Sequence, residues 1–111
     1  MALVTDKMVS DAIEYLAMSD TLAAGAKANR IRQEHRRKRV RARLILDSNE
    51  KTAGLKEAWA ECQPSYADAC EDEAESVEAD ETHRNKRNTA DAIIEAWRSE
   101  QANKRAGANF R

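Results

Sequence analysis

Residues that interrupt helices are scarce in this chain of 111 residues, which has only three Gly and one Pro. Helix-favouring Ala, Glu, Arg, Lys and Leu are common instead, and no stretch alternates Val, Ile or Thr as a β-strand does. Large apolar side chains are also few, since the chain has one Phe, two Trp and two Tyr. These shortages argue against a sheet and against a thick monomeric core, and they favour long helices that share a narrow apolar seam.

Several functional classes lack their usual sequence signals. No apolar run approaches the ~20 residues of a membrane span, and Asp6 follows the start of the chain too closely for a signal peptide. There is no Gly-rich phosphate loop and no nucleophile elbow. Cys62 and Cys70, even with His83, match no metal-ligand spacing. We therefore expect a non-enzymatic, cytoplasmic protein with reduced thiols and with neither a cofactor nor a metal.

Charge is segregated along the chain, although the net charge is only −1. The successive blocks are 1–26 at −3, 27–43 at +8, 44–56 at zero, 57–83 at −10 and 84–111 at +4. Blocks of opposite sign attract each other. Two interpretations stay open: the basic and acidic blocks neutralise one another in a hairpin, or one of them faces an external polyion.

Capping residues and apolar periodicity predict a single all-α domain over 1–111, built as a long antiparallel helical hairpin with a short N-terminal helix. The predicted segments are a short helix at about 6–18, a long basic helix at about 21–46, a turn and short helix at 47–64, and a long helix, acidic and then basic, at about 65–106. Thr5 and Ser19 are the expected N-terminal caps, and Gly107 is the expected residue after the last helix.

The long basic helix carries a thin seam. Leu22, Gln33 and Leu44 are eleven residues apart, and Ala26, Asn29, Arg37 and Val40 continue the same stripe between them. This spacing indicates a nearly straight coiled coil. Because the seam is polar in the middle and the core is small, we expect a homo-oligomer.

Two basic groups are candidates for binding nucleic acid. The first contains Arg36, Arg37, Lys38, Arg39, Arg41 and Arg43, and the second contains Arg84, Lys86, Arg87, Arg98, Lys104, Arg105 and Arg111. Arginine forks match phosphate geometry. Trp97 and Phe110 lie within the second group, and basic residues interleaved with aromatic rings suit single strands. Trp97 also shares a helical stripe with Ile93 and Ile94, which favours a core position.

The last third of the chain resembles small helical proteins of bacteriophage recombination and replication loci. The resemblance is carried by the segment from Arg84 to Ala90 and by the segment from Ile93 to Arg105. The overall layout is similar to that of phage recombination mediators. It implies an oligomeric, single-stranded-DNA-binding role in DNA recombination, together with a partner protein, in the cytoplasm of a bacterial host cell.

The sequence therefore leads to two functional hypotheses. In the first, a phage-type accessory protein binds single-stranded DNA and a partner protein, with the two basic groups on phosphate. In the second, the chain is a protein-interaction module, an assembly chaperone or a nucleic-acid-mimicking inhibitor, that uses its acidic helix. The candidate partner-binding residues are Glu71, Asp72, Glu75 and Glu78. The solvent-exposed block distinguishes the two: an exposed basic face favours the first and an exposed acidic face favours the second.

Overall fold

The computed structural model describes residues 3–109, and helices are the only regular structure in that part of the chain. Helix α1 extends over Asp6–Asp47, α2 over Ala53–Glu61 and α3 over Pro64–Asn109. The predicted all-α class is confirmed. Phe110 and Arg111, which the sequence placed in the second basic group, lie outside the described residues.

The helices begin at the residues that their capping chemistry favours. The Thr5 hydroxyl accepts a hydrogen bond from the backbone N–H of Met8 at 3.1 Å, and the Thr52 hydroxyl accepts one from Leu55 at 3.2 Å. Each bond satisfies an N–H that has no partner within its own helix. Pro64 is the first residue of α3, where its missing N–H costs nothing.

The predicted short N-terminal helix is wrong as a separate element, because α1 runs through Ser19 and Asp20 without a break. Ser19 is buried, and its hydroxyl accepts a hydrogen bond from Arg87 at 2.8 Å. This serine therefore serves a contact between helices and does not cap one. Gly107 is likewise not a terminator, since α3 continues to Asn109 and Gly107 lacks the positive φ of a C-terminal glycine.

The chain forms two compact units, and each contains a segment of α1 and a segment of α3. Unit 1 comprises residues 1–23 and 82–111, of which the structure describes 3–23 and 82–109. Unit 2 comprises residues 24–81 and also contains α2.

In unit 2 the helices approach one another over small side chains. Ala60 on α2 and Ala69 on α3 have no exposed surface, and Ser76 is also buried. Val40 and Leu44 of the predicted seam are half-buried here. At these closely packed positions there is no room for a side chain larger than alanine. The helices of unit 2 therefore lie close together over a thin core.

In unit 1 the core is equally thin. Val4, Val9, Ala12 and Ala90 are its buried apolar residues. The Glu100 carboxylate accepts hydrogen bonds from the backbone N–H groups of Leu3 at 2.9 Å and Val4 at 3.3 Å. Since Arg87 contacts Ser19 while Glu100 contacts Leu3, the two segments are antiparallel.

The predicted seam does not continue into unit 1. Leu22, its first member, is 64% exposed. The packed face of α1 turns away from this residue, because in this unit the buried positions of α1 are Val9, Ala12 and Ser19. Leu22 is therefore available for a contact outside its own chain.

The thin core predicts a sharp response to overpacking. Ala69→Leu should lower the free energy of unfolding by about 1–3 kcal/mol, because the added atoms have no space between the helices. Ala67→Leu is the matched control, since Ala67 is exposed two residues away on the same helix. Urea unfolding followed by circular dichroism measures both. Equal effects of the two changes would contradict the described packing.

Candidate interaction surfaces

A row of ion pairs joins α1 to α3 inside unit 2, and we call it the inner row. Arg30 donates to Asp80 at 3.0 Å and to Glu81 at 2.9 Å. Arg36 donates to Asp72 at 2.5 Å, and Arg37 is paired with Glu73. As the residue number rises on α1 it falls on α3, so the helices are antiparallel. The expected juxtaposition of the basic and acidic blocks is present in unit 2.

The inner row is partly shielded from water. The side chains of Arg37 and Glu73 are only 26% and 22% exposed, and that of Asp80 is 6% exposed. The pKa of Arg37 is raised, chiefly by its hydrogen bond to Glu73. The pKa of Arg30 is raised by hydrogen bonds to Asp80 and then Glu81. These ion pairs therefore help to hold α1 against α3, and their arginines are bound to carboxylates of the same chain.

Helix α2 extends this neutralisation to Arg41. The guanidinium of Arg41 donates to Glu61 at 3.1 Å and lies 3.9 Å from Glu57. Both glutamates belong to α2. Helix α2 thus supplies the carboxylates that neutralise Arg41, near the end of α1. In the described structure Arg41 makes no ion pair with α3.

Two further cations of the first basic group are paired within α1. Lys38 lies 3.2 Å from Glu34, and Arg43 lies 3.6 Å from Asp47, each at a separation of four residues. The hydrogen bond from Lys38 lowers the pKa of Glu34. These side chains are well exposed, so the pairs are weak and either cation could exchange its partner.

Arg39 differs from the other five members of the first basic group. It is exposed, and within residues 3–109 it forms no ion pair. It lines a shallow hollow with Ile31, Arg32 and His35 on the outward side of α1. The six predicted nucleic-acid contacts therefore do not form one surface, because they are distributed around the helix.

The second basic group is divided in the same way. Arg87 points inward in unit 1, where it donates to the Leu16 carbonyl at 2.9 Å and approaches Asp20 at 3.5 Å. Arg98 pairs with Glu95 at 2.6 Å on α3. The remaining predicted members are exposed; they are Arg84, Lys86, Lys104 and Arg105.

The acidic part of α3 also has two sides. Of the four predicted partner-binding residues, Asp72 belongs to the inner row. Glu71, Glu75 and Glu78 are exposed, as is Asp68 one turn earlier, and these four make no ion pair to any residue that the structure describes. Their spacing of three, four and three residues places them on one side of α3. We call this set the outer acidic row.

The inner row depends on Arg30, Glu73 and Asp80, and none of these three is among the site residues predicted from the sequence. A signal was present: Arg30 and Arg37 are seven residues apart, as are Glu73 and Asp80. Side chains seven apart share one face of a helix. Matched pairs of this kind on antiparallel helices indicate which charges point inward.

No family profile, curated protein or solved structure matches the chain. In the part of the chain that the structure describes, no group of three His, Cys, Asp or Glu side chains is placed to hold a metal ion. The described helices also include none with the length and apolar character of a membrane span. Cys62 and Cys70 are both free thiols.

The division between inward and outward arginines predicts different mutational costs. Arg37→Ala should lower the free energy of unfolding by about 1 kcal/mol, because Glu73 would stay mostly buried without its partner. Arg39→Ala, on the same helix but exposed, should change it by less than about 0.5 kcal/mol. Thermal or urea unfolding at one salt concentration compares the two variants. A larger loss from Arg39→Ala would show that the inner row is not what holds the helices.

Proposed function

We propose that this protein is a non-enzymatic protein-interaction module that binds a basic partner through the outer acidic row. The proposal rests on one observation about exposure. Arg36, Arg37 and Arg41 of the first basic group are paired with carboxylates of their own unit, whereas the outer acidic row faces solvent. Exposure of the acidic face is the feature that distinguishes this function from nucleic-acid binding.

The spacing of the outer acidic row suggests the form of the partner. Glu78 lies ten residues after Asp68 on the same helix, so the row is about 15 Å long. A partner helix with Lys or Arg at separations of three or four residues presents cations at a similar interval. Exposed pairs are individually weak, at about 0–1 kcal/mol each. The contact therefore gives a fast, salt-sensitive association, with four carboxylates acting together.

Exposure of these carboxylates also supports a non-enzymatic role. Acid–base catalysis takes place in a site that holds a substrate and excludes water. Glu71, Glu75 and Glu78 instead face solvent along one side of a helix. The sequence adds no phosphate loop and no nucleophile elbow. Binding is the chemistry that remains for this surface.

A homo-oligomer is part of the same proposal. Among the described residues no large side chain is fully buried, and a core made mainly of alanine and valine stabilises a single chain weakly. Association of copies would cover apolar side chains that now face water.

Single-stranded DNA binding is the second candidate function. It is supported by the exposed cations Arg32 and Arg39 on α1 and Lys104 and Arg105 near the end of α3. The resemblance to proteins of phage recombination loci supports it as well. Fewer residues would contact DNA than the two basic groups contain, because Arg36, Arg37 and Arg41 are paired with carboxylates within unit 2.

Binding to a labelled Lys/Arg-rich helical peptide tests the first function. The full chain should bind it, and Glu71→Gln, Glu75→Gln and Glu78→Gln combined should weaken binding at least about tenfold, because the attraction scales with the opposing charges. A control with Glu50→Gln, Asp91→Asn and Glu95→Gln loses the same charge at other exposed positions. If both triple variants weaken binding equally, only the net charge matters and the outer acidic row is not the site.

Labelled single-stranded DNA titrated at several salt concentrations tests the second function. Each phosphate contact should contribute about −0.7 to the slope of log K against log salt. Arg32→Ala with Arg39→Ala should therefore flatten the slope by about 1.4 units, while Arg36→Ala should mainly lower stability. Absence of measurable DNA binding by the unmodified chain would remove this candidate and leave the first intact.

A further inference from the structure

Unit 1 leaves apolar side chains of α1 uncovered. Met18 and Leu22 are 72% and 64% exposed, and Met8 is 39% exposed. These residues take no part in the buried core of their own unit, which consists of small or β-branched side chains. Burying an exposed Leu or Met side chain is favourable because it removes apolar surface from water. Covering this face of α1 would therefore stabilise an assembly that contains it.

The exposed side chains border a continuous groove. A hollow of about 410 Å³ lies between α1 and α3, with Met8, Ala12 and Tyr15 on one side and Ala90 and Ile93 on the other. A neighbouring hollow, lined by Tyr15, Met18 and Leu22, extends it along α1. All these residues belong to unit 1. We call the two hollows together the unit 1 groove.

The apolar residues along the groove have coiled-coil spacing. Met8, Tyr15 and Leu22 are seven residues apart, and Met18 lies between the last two at a separation of three and four. Such a heptad stripe is what a second helix packs against. Met8 and Leu22 are equally distant from Tyr15, so an antiparallel copy centred there sets Met8 against Leu22 at both ends, over about 21 Å. The same arrangement sets Met18 of one copy at the level of Ala12 of the other.

Charged residues of both signs line the unit 1 groove: Asp11 and Lys86 lie in its first hollow, and Glu14 lies with Asp11 in the second. Arg87 contacts Leu16 and Ser19, so its neighbour Lys86 lies near the level of Met18, three residues after Tyr15. Asp11 lies four residues before Tyr15. A two-fold axis at Tyr15 therefore brings Lys86 of each copy to the level of Asp11 of the other. There Lys86 would compete with Lys7, which forms an exposed and therefore weak pair with Asp11 at 3.2 Å within the same chain.

We propose that a second copy of this chain covers the unit 1 groove, in an antiparallel, two-fold contact centred on Tyr15. The proposal rests on the homo-oligomer of the proposed function and names its surface. The occupant is a second copy because a single groove supplies both halves of the interface: Met8 and Leu22, which exchange places on inversion about Tyr15, and Asp11 and Lys86, which are opposite in charge.

Light scattering on the full chain over a range of concentrations tests the contact. The unmodified chain should have the mass of two chains, and Met18→Lys or Leu22→Lys should weaken the dimer at least about tenfold, since each places a charge in the apolar seam. Ile13→Lys is the matched control, because Ile13 is 54% exposed and lines a different hollow with Val9 and Trp97. Circular dichroism should show unchanged helix content in all three.

A charge exchange gives a second, independent readout. Asp11→Lys alone and Lys86→Asp alone should each weaken the dimer, and the two changes combined should restore it, because the attraction between copies is re-formed with its signs reversed. A mass of one chain at every concentration overturns both the homo-oligomer and this interface. A dimer that Ile13→Lys disrupts and Met18→Lys does not overturns the groove contact while the homo-oligomer stands.

Discussion

The packing of unit 2 depends on arginines at positions where helical hairpins usually have apolar side chains. Arg30 and Arg37 lie on the inward face of α1, and Asp80 and Glu73 meet them from α3. A partly buried charge without a partner costs more free energy than the pair contributes. The acidic character of α3 is therefore a structural requirement of α1. The requirement is reciprocal, because neither segment could pack against an uncharged helix without leaving charges unpaired.

This requirement determines which charges remain for other molecules. Unit 2 carries 11 Lys and Arg against 13 Asp and Glu, so its excess is negative even though α1 is strongly basic. Once the inner row is satisfied, the negative excess is concentrated on the outward side of α3 at Glu71, Glu75 and Glu78. The two helices of unit 2 present different charges outward: Arg32 and Arg39 are exposed on α1, and the carboxylates of the outer acidic row are exposed on α3. None of these side chains makes an ion pair in the described structure, so a polyanion would meet the first surface and a basic protein the second.

Composition predicted the helical class, and charge order offered the meeting of the basic and acidic blocks as one of two interpretations, because both features depend on long stretches of sequence. The site residues were harder to predict. Arg37 and Arg39 are two positions apart and look alike in the sequence, yet only one points inward, and that difference depends on the rotation of α1 against α3. The prediction that Ser19 caps a helix was wrong for a related reason. A serine within a helix that accepts a hydrogen bond from Arg87 cannot be distinguished in the sequence from a serine that caps a helix.

The two units present different surfaces, an apolar one in unit 1 and an acidic one in unit 2. Unit 1 has the heptad residues Met8, Tyr15 and Leu22, of which Met8 and Leu22 are exposed and Tyr15 is half-buried; they suit a contact that excludes water and persists in salt. The outer acidic row of unit 2 suits a weak contact that salt screens. Pairing two copies through unit 1 would give one assembly two such rows. Because a second row binds at the high effective concentration that the first creates, weak ionic contacts could then yield useful affinity for a partner with repeated basic segments.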